Sequence, residues 1–288
     1  MNEQWSNRLR RFLPLVFILV AAVCIGVIVQ TYVADAANKA QQEELKKLYE
    51  ESSSQLPLGA SIEEGEYINS RFSELMEINP DLIGWLEAGS LSVPVVQGED
   101  NDYYLKHDFY GNDDPHGTVF LDSRNQLEPN DDNLVLYGHN YNRTKNMFYV
   151  VEQYKDPAFV NENPTITFST LHDETEYVVF AVFLTNTVES QGDVFDYHNQ
   201  LRFKTTAEMN SFLEEVKARS LISNPVEVNA SDKLITLSTC GYDFEGERIV
   251  LMARELRDDE KAEDFQGLTV KADNPIMPEI WTRLYGNV

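Results

Sequence analysis

The chain has 288 residues, 42% of them hydrophobic, with 48 acidic against 23 basic side chains and a formal net charge of −25. That much apolar material sustains a substantial core and excludes a disordered tail. The charge argues against nucleic acid and anionic lipid as ligands of the polar part, because a strongly acidic surface repels polyanions.

The first element is Phe12 to Val33, "FLPLVFILVAAVCIGVIVQTYV", uncharged throughout and long enough as a helix to match a bilayer. Arg8, Arg10 and Arg11 precede it and Asp35 follows, so residues 1–11 are expected in the cytoplasm and the rest outside. A cleaved signal peptide is the competing reading, since "ADA" at 34–36 resembles a small-residue cleavage site. The apolar run exceeds the ~7–15 residues of a signal h-region, which favours an uncleaved anchor over 12–33. Cys24 lies inside this span as an apolar filler, leaving Cys240 as the only thiol beyond it. An exported domain with one cysteine forms no internal disulfide, so a free reactive thiol becomes a candidate.

Residues 34–63 read as a stalk: a polar helix over Ala36 to Glu51, broken by "ESSSQLPLGAS". Ser61 with Glu64 makes a capping box, and Tyr67, Phe72, Leu75, Met76 and Ile78 suggest a helix ending at Asn79 to Asp81. A main domain is expected over 64–257. Seven short runs there, 91–97, 117–122, 133–138, 165–169, 176–185, 233–239 and 247–254, are rich in β-branched and aromatic residues and bounded by turn formers. So many short strands argue for a barrel or sandwich. One helix interrupts them: Thr205 with Glu208 caps it, and Met209, Phe212, Leu213 and Val216 share a face that would pack on the sheet. A C-terminal extension, 258–288, begins charged and ends with Trp281 and Leu284, which could dock onto the domain.

Cys240 lies between two strand patterns, where a lone thiol is either an inert filler or a nucleophile. A catalytic thiol needs a base or cation nearby. His139 in "LVLYGHNY" follows a probable buried strand and a glycine, so a loop would present its ring at a strand end. His107, His116, His172 and His198 have weaker contexts, the last two in polar loops. No HExxH, paired-cysteine or EF-hand spacing occurs, and the acidic runs at 112–114 and 131–133 lack calcium-loop spacing, so no metal or other cofactor is expected. Arg248 opens the strand pattern "RIVLMAR". If 233–239 and 247–254 are antiparallel neighbours, Arg248 and Cys240 share one end of the sheet, where a guanidinium could stabilise an oxyanion. A surface arginine remains the alternative.

"TLSTC" (236–240), "YGHN" (137–140) and "ERIV" (247–250), three separated motifs in order, resemble sortases, the membrane-anchored cysteine transpeptidases of Gram-positive surfaces. The resemblance spans roughly 79–254. "NPDLIGWL", "VPVVQGEDNDYYLKHDFYG", "GTVFLDSRN", "MFYVVEQYKDPAFV" and the helix at 205–219 are similar to class B. That class implies a mainly β fold: an eight-stranded barrel with N-terminal helices and an inserted helix before the cysteine strand. Carried over, the resemblance makes Cys240 the nucleophile, His139 the acid/base partner and Arg248 the transition-state and substrate clamp. Ser238, Asn101 and Leu105 would line the sorting-signal groove. The implied partners are surface proteins bearing an NPxTN or (S/N)PxTG-type signal and a peptidoglycan precursor or cross-bridge amine. The tail after the arginine strand departs from the class, whose chains commonly stop there.

The rivals are an exported cysteine hydrolase, an L,D-transpeptidase, and an anchored β-domain with an inert thiol. The L,D-transpeptidase pattern "SHGCxR" would put histidine where Ser238 stands.

Overall fold

The computed structural model describes residues 3–53 and 69–286; the expected capping box at Ser61 and Glu64, and Tyr67, lie outside the described residues. The chain divides into two compact units, Met1–Glu44 and Leu45–Val288. Helix α1 runs unbroken over Glu3–Ser53, so the apolar span and the polar helix expected after it are one element. From Leu13 it is long and apolar enough to cross a membrane, and its apolar window is wholly unburied.

In the second unit the helices are α2 (Ser73–Ile78), α3 (Tyr149–Gln153), α4 (Pro157–Glu162), α5 (Thr206–Arg219) and α6 (Glu279–Tyr285). The long strands are β1 (Leu82–Ala88), β2 (Leu91–Val96), β3 (Val119–Leu121), β4 (Asn133–Tyr137), β5 (Thr165–Thr170), β6 (Glu174–Asn186), β7 (Leu234–Cys240) and β8 (Glu247–Glu255). They close into a barrel in the order β1-β2-β3-β4-β7-β8-β6-β5, with β5 pairing back onto β1. This is the eight-stranded, mainly β fold that the sequence resemblance implies.

Seven of these strands coincide with the apolar runs read from sequence. The eighth, β1, escapes that reading because Gly84 and Glu87 interrupt its pattern. Gly84 is required there: a Cβ would lie 2.3 Å from the Ser169 carbonyl oxygen of β5, and the pairing with β2 slips register between Leu82 and Gly84. A bulge with close backbone approach is where a strand tolerates glycine.

Three apolar clusters hold the unit together. One draws buried residues from every strand, among them Leu86, Val95, Leu121, Leu136, Phe168, Val182, Leu237 and Leu251, and therefore fills the barrel interior. A second joins Phe183, Val250 and Met252 on the outer face of β6 and β8 to Met209, Phe212, Leu213 and Val216 of α5. That is the helical stripe read from sequence, and Thr205 caps the helix by accepting the Glu208 N–H. The third unites Leu45 and Tyr49 of α1 with Phe72, Leu75 and Trp85. Tyr49 stacks on the fully buried Trp85 at 4.3 Å between ring centroids, so the last turns of α1 belong to the folded unit.

Candidate active site

Strand pairing decides where the reactive residues meet. β7 and β8 are antiparallel with Cys240 opposite Arg248, while β7 and β4 are parallel with Ser238 opposite Tyr137. The chain leaving β4 therefore advances alongside Cys240. Gly138 donates its N–H to the Ser238 carbonyl (3.4 Å), and Thr239 donates Oγ1–H to the Gly138 carbonyl (2.7 Å). Asn140 Nδ2 donates to the Cys240 carbonyl (3.1 Å) and to Glu152 Oε2 (2.8 Å). Cys240, His139 and Arg248, all half-buried, thus share one end of the barrel. Gly138 is needed for this route, since a Cβ would sit 2.9 Å from the Phe148 ring.

The imidazole is held from outside the β4–β7 joint. His139 Nε2 lies 2.8 Å from the Leu105 carbonyl oxygen. A carbonyl only accepts, so Nε2 carries a proton and Nδ1 is the position whose protonation can change. Tyr141, at 6.1 Å between centroids, meets the His139 ring edge-on and stacks on His116 at 4.2 Å. Arg248 Nη1 donates to the Glu247 carbonyl at 3.0 Å. Of the other histidines, His107 stacks on Tyr103, His116 bonds Asp114, and His172 and His198 sit beside Glu128 and Asp196.

The three expected groove residues take distinct places. Ser238 is 2% exposed, its Oγ 2.5 Å from the Tyr197 hydroxyl. Leu105 supplies its carbonyl to His139, and Asn101 Oδ1 accepts the Ser123 N–H at 2.8 Å, tying two loops together.

Two residues near the thiol went unread in the sequence. Burial first pushes the Tyr197 phenol up; the Ser238 bond and the Arg248 charge oppose this and Cys240 adds to it, so Tyr197 lies within electrostatic reach of both. It sits in the irregular stretch between β6 and α5, beside His198. Glu247 is 1% exposed, and burial pushes its carboxyl up, against the Asp243 N–H that it accepts at 2.7 Å. In sequence Glu247 opens the motif at 247–250, where nothing marks its burial. Among the described residues no group of three His, Cys, Asp or Glu side chains could hold a metal ion.

Comparison with known proteins points to one family. The family model described as the Sortase domain matches residues 86–256. Sortase B of Staphylococcus aureus is 32% identical over 257 residues, covering 87% of this chain and 99% of the relative. Sortase B of Listeria monocytogenes is 32% identical over 191 residues, 65% of this chain and 74% of its own. A solved Staphylococcus aureus sortase B–substrate complex superposes with a TM-score of 0.66 at 29% identity, over 78% of this chain and 99% of that one. With its closed barrel, its cysteine strand and these relatives, the chain belongs to the sortase family of cysteine transpeptidases, in its class B branch.

Proposed function

We propose that Cys240, His139 and Arg248 carry the transpeptidation, and that the substrate is a surface protein with an NPxTN or (S/N)PxTG-type C-terminal signal. The observation that carries this reading is the double strand pairing: Cys240 faces Arg248 across one ladder and adjoins the His139 segment across the other.

In the first half-reaction the Cys240 thiolate adds to the carbonyl of the signal's threonine. The Arg248 guanidinium faces the resulting oxyanion, where a charged donor counts most in a water-poor site. His139, as imidazolium, gives its Nδ1 proton to the departing amine, the C–N bond breaks, and a thioester remains. In the second half an amine of a peptidoglycan precursor or cross-bridge attacks the thioester. Its proton passes to His139, the C–S bond breaks, and the thiolate returns. The Leu105 carbonyl keeps the ring turned so that only Nδ1 changes protonation. Asn101 and Leu105 border the signal's path, and Ser238 supports it from behind through its bond to Tyr197.

Residues 12–33 serve as a single-pass anchor, with 1–11 cytoplasmic and the catalytic domain over 64–257 outside the cell. The uncharged run and its three flanking arginines support this topology.

The test is a fluorogenic sorting-peptide assay with products read by mass spectrometry, with and without an added amine. Cys240→Ala is expected to abolish acylation, His139→Ala to cost about 10²–10⁴-fold and Arg248→Ala about 10²–10³-fold in kcat. Full activity in any of the three ends its assignment. Product released only to water, whatever amine is present, would make the protein a hydrolase.

A further inference from the structure

The segment after β8 runs along the barrel and ends at the loop that follows Cys240. Its start is pinned by the buried Arg254, which forms an ion pair with Glu260. Val270–Lys271 then pair with Ile222–Ser223, and the Asn161 side chain exchanges two hydrogen bonds with the Thr269 backbone, 2.9 and 2.7 Å. Ile276 N–H donates to the Ala218 carbonyl at 2.8 Å, and Met277 and Trp281 pack against the barrel's interior cluster. Leu284, the other residue expected to dock, stays exposed. α6 ends with the Tyr285 hydroxyl donating to the Asp243 carbonyl at 2.9 Å.

Asp243 belongs to the six-residue loop, 241–246, that joins Cys240 at the end of β7 to Glu247 at the start of β8. Its own N–H is held from inside the fold by Glu247 Oε2 at 2.7 Å. Gly241 makes that possible, because a Cβ there would lie 2.1 Å from the same oxygen. The Gly241 N–H donates to the Glu247 carbonyl at 3.1 Å. The Asp243 residue is therefore gripped on both sides, by a buried carboxyl beneath and by the extension's last helix above.

We propose that the C-terminal segment is part of the catalytic apparatus: Tyr285 is a positioning residue whose hydroxyl, by holding the Asp243 carbonyl, fixes the loop that closes the strand pair carrying Cys240 and Arg248. This rests on the sortase reading of those two residues. A displacement on the order of 1 Å at a reacting group costs up to ~10²-fold in rate, so a single tether on a short loop registers in turnover.

The experiment compares the full chain with Tyr285→Phe, which keeps the ring that contacts Trp281 at 4.6 Å and removes only the donor. A second variant ends at Pro278 and lacks α6. For Tyr285→Phe, kcat is expected to fall about fivefold, the scale of one hydrogen bond, at unchanged KM and thermal midpoint. Hydrogen exchange is expected to quicken at the 242–246 amides alone, and iodoacetamide alkylation of Cys240 to change rate with it. The chain ending at Pro278 also loses the Trp281 packing, so its thermal midpoint should fall, while the kcat loss and the quickened exchange at 242–246 should be larger than in Tyr285→Phe. Unchanged kcat with unchanged exchange at 242–246 overturns the proposal, as does a rate loss accompanied by faster exchange throughout the barrel. If the natural protein cleaves no sorting peptide, the functional reading falls. Exchange and alkylation then still decide whether Tyr285 holds the loop.

Discussion

Glu247 stands between the loop after Cys240 and Arg248, and its burial makes it sensitive to pH. A carboxyl whose folded pKa lies above its ordinary value of 4.5 binds its proton more tightly when folded. It costs nothing below that value, and the cost grows as pH rises through it to the raised folded value. Glu247→Gln removes the charge, so its thermal midpoint relative to the natural protein is expected to improve as pH rises from 4.5 through the raised folded value and then to level off; parallel pH profiles would refute this. Gly241→Ala forces a methyl onto the same carboxyl and is expected to destabilise by about 1–3 kcal/mol in denaturant unfolding. That Cys240, His139 and Arg248 lie at one end of the barrel was legible because each sits in a short motif at a strand end. The burial of Tyr197 and Glu247 near them was not, since it depends on partners 40 or so positions away or across a turn, which no local pattern encodes.

At the level of single elements, the extension's root is the most vulnerable. Arg254 on β8 is fully buried, with Nε donating to the Glu227 carbonyl at 2.8 Å and the guanidinium paired to Glu260. Truncating Arg254 empties a buried site and takes the Nε donor from the Glu227 carbonyl, while Glu260 is partly exposed and still accepts the Arg257 N–H at 3.0 Å. Arg254→Ala is expected to cost about 1–3 kcal/mol in chemical denaturation, while the surviving folded fraction keeps its KM. Helix α5 was readable to the residue because its cap and its apolar stripe are both local signals. Strand β1 was not, because Gly84 answers to the Ser169 carbonyl of a strand that follows some eighty positions later. The continuity of α1 was likewise hidden: the composition changes sharply at Val33 while the helical backbone does not.

For the molecule as a whole, the folded unit begins earlier than the Ser- and Gly-containing stretch suggests. Leu45 and Tyr49 are buried with Trp85, and each large apolar side chain so placed contributes about 1.5–3 kcal/mol. A soluble fragment starting at Ala36 is therefore expected to melt at a higher temperature than one starting at Asn69; equal midpoints would show that the α1 contacts add nothing. The parallel joint between β4 and β7 has a last consequence. It unites strands about a hundred positions apart, so it forms only after β5, β6 and α5 have been made, and non-local pairings of this kind come late in folding. Until that joint closes, the Cys240 sulfhydryl has no imidazole beside it, and only the completed barrel brings the two together.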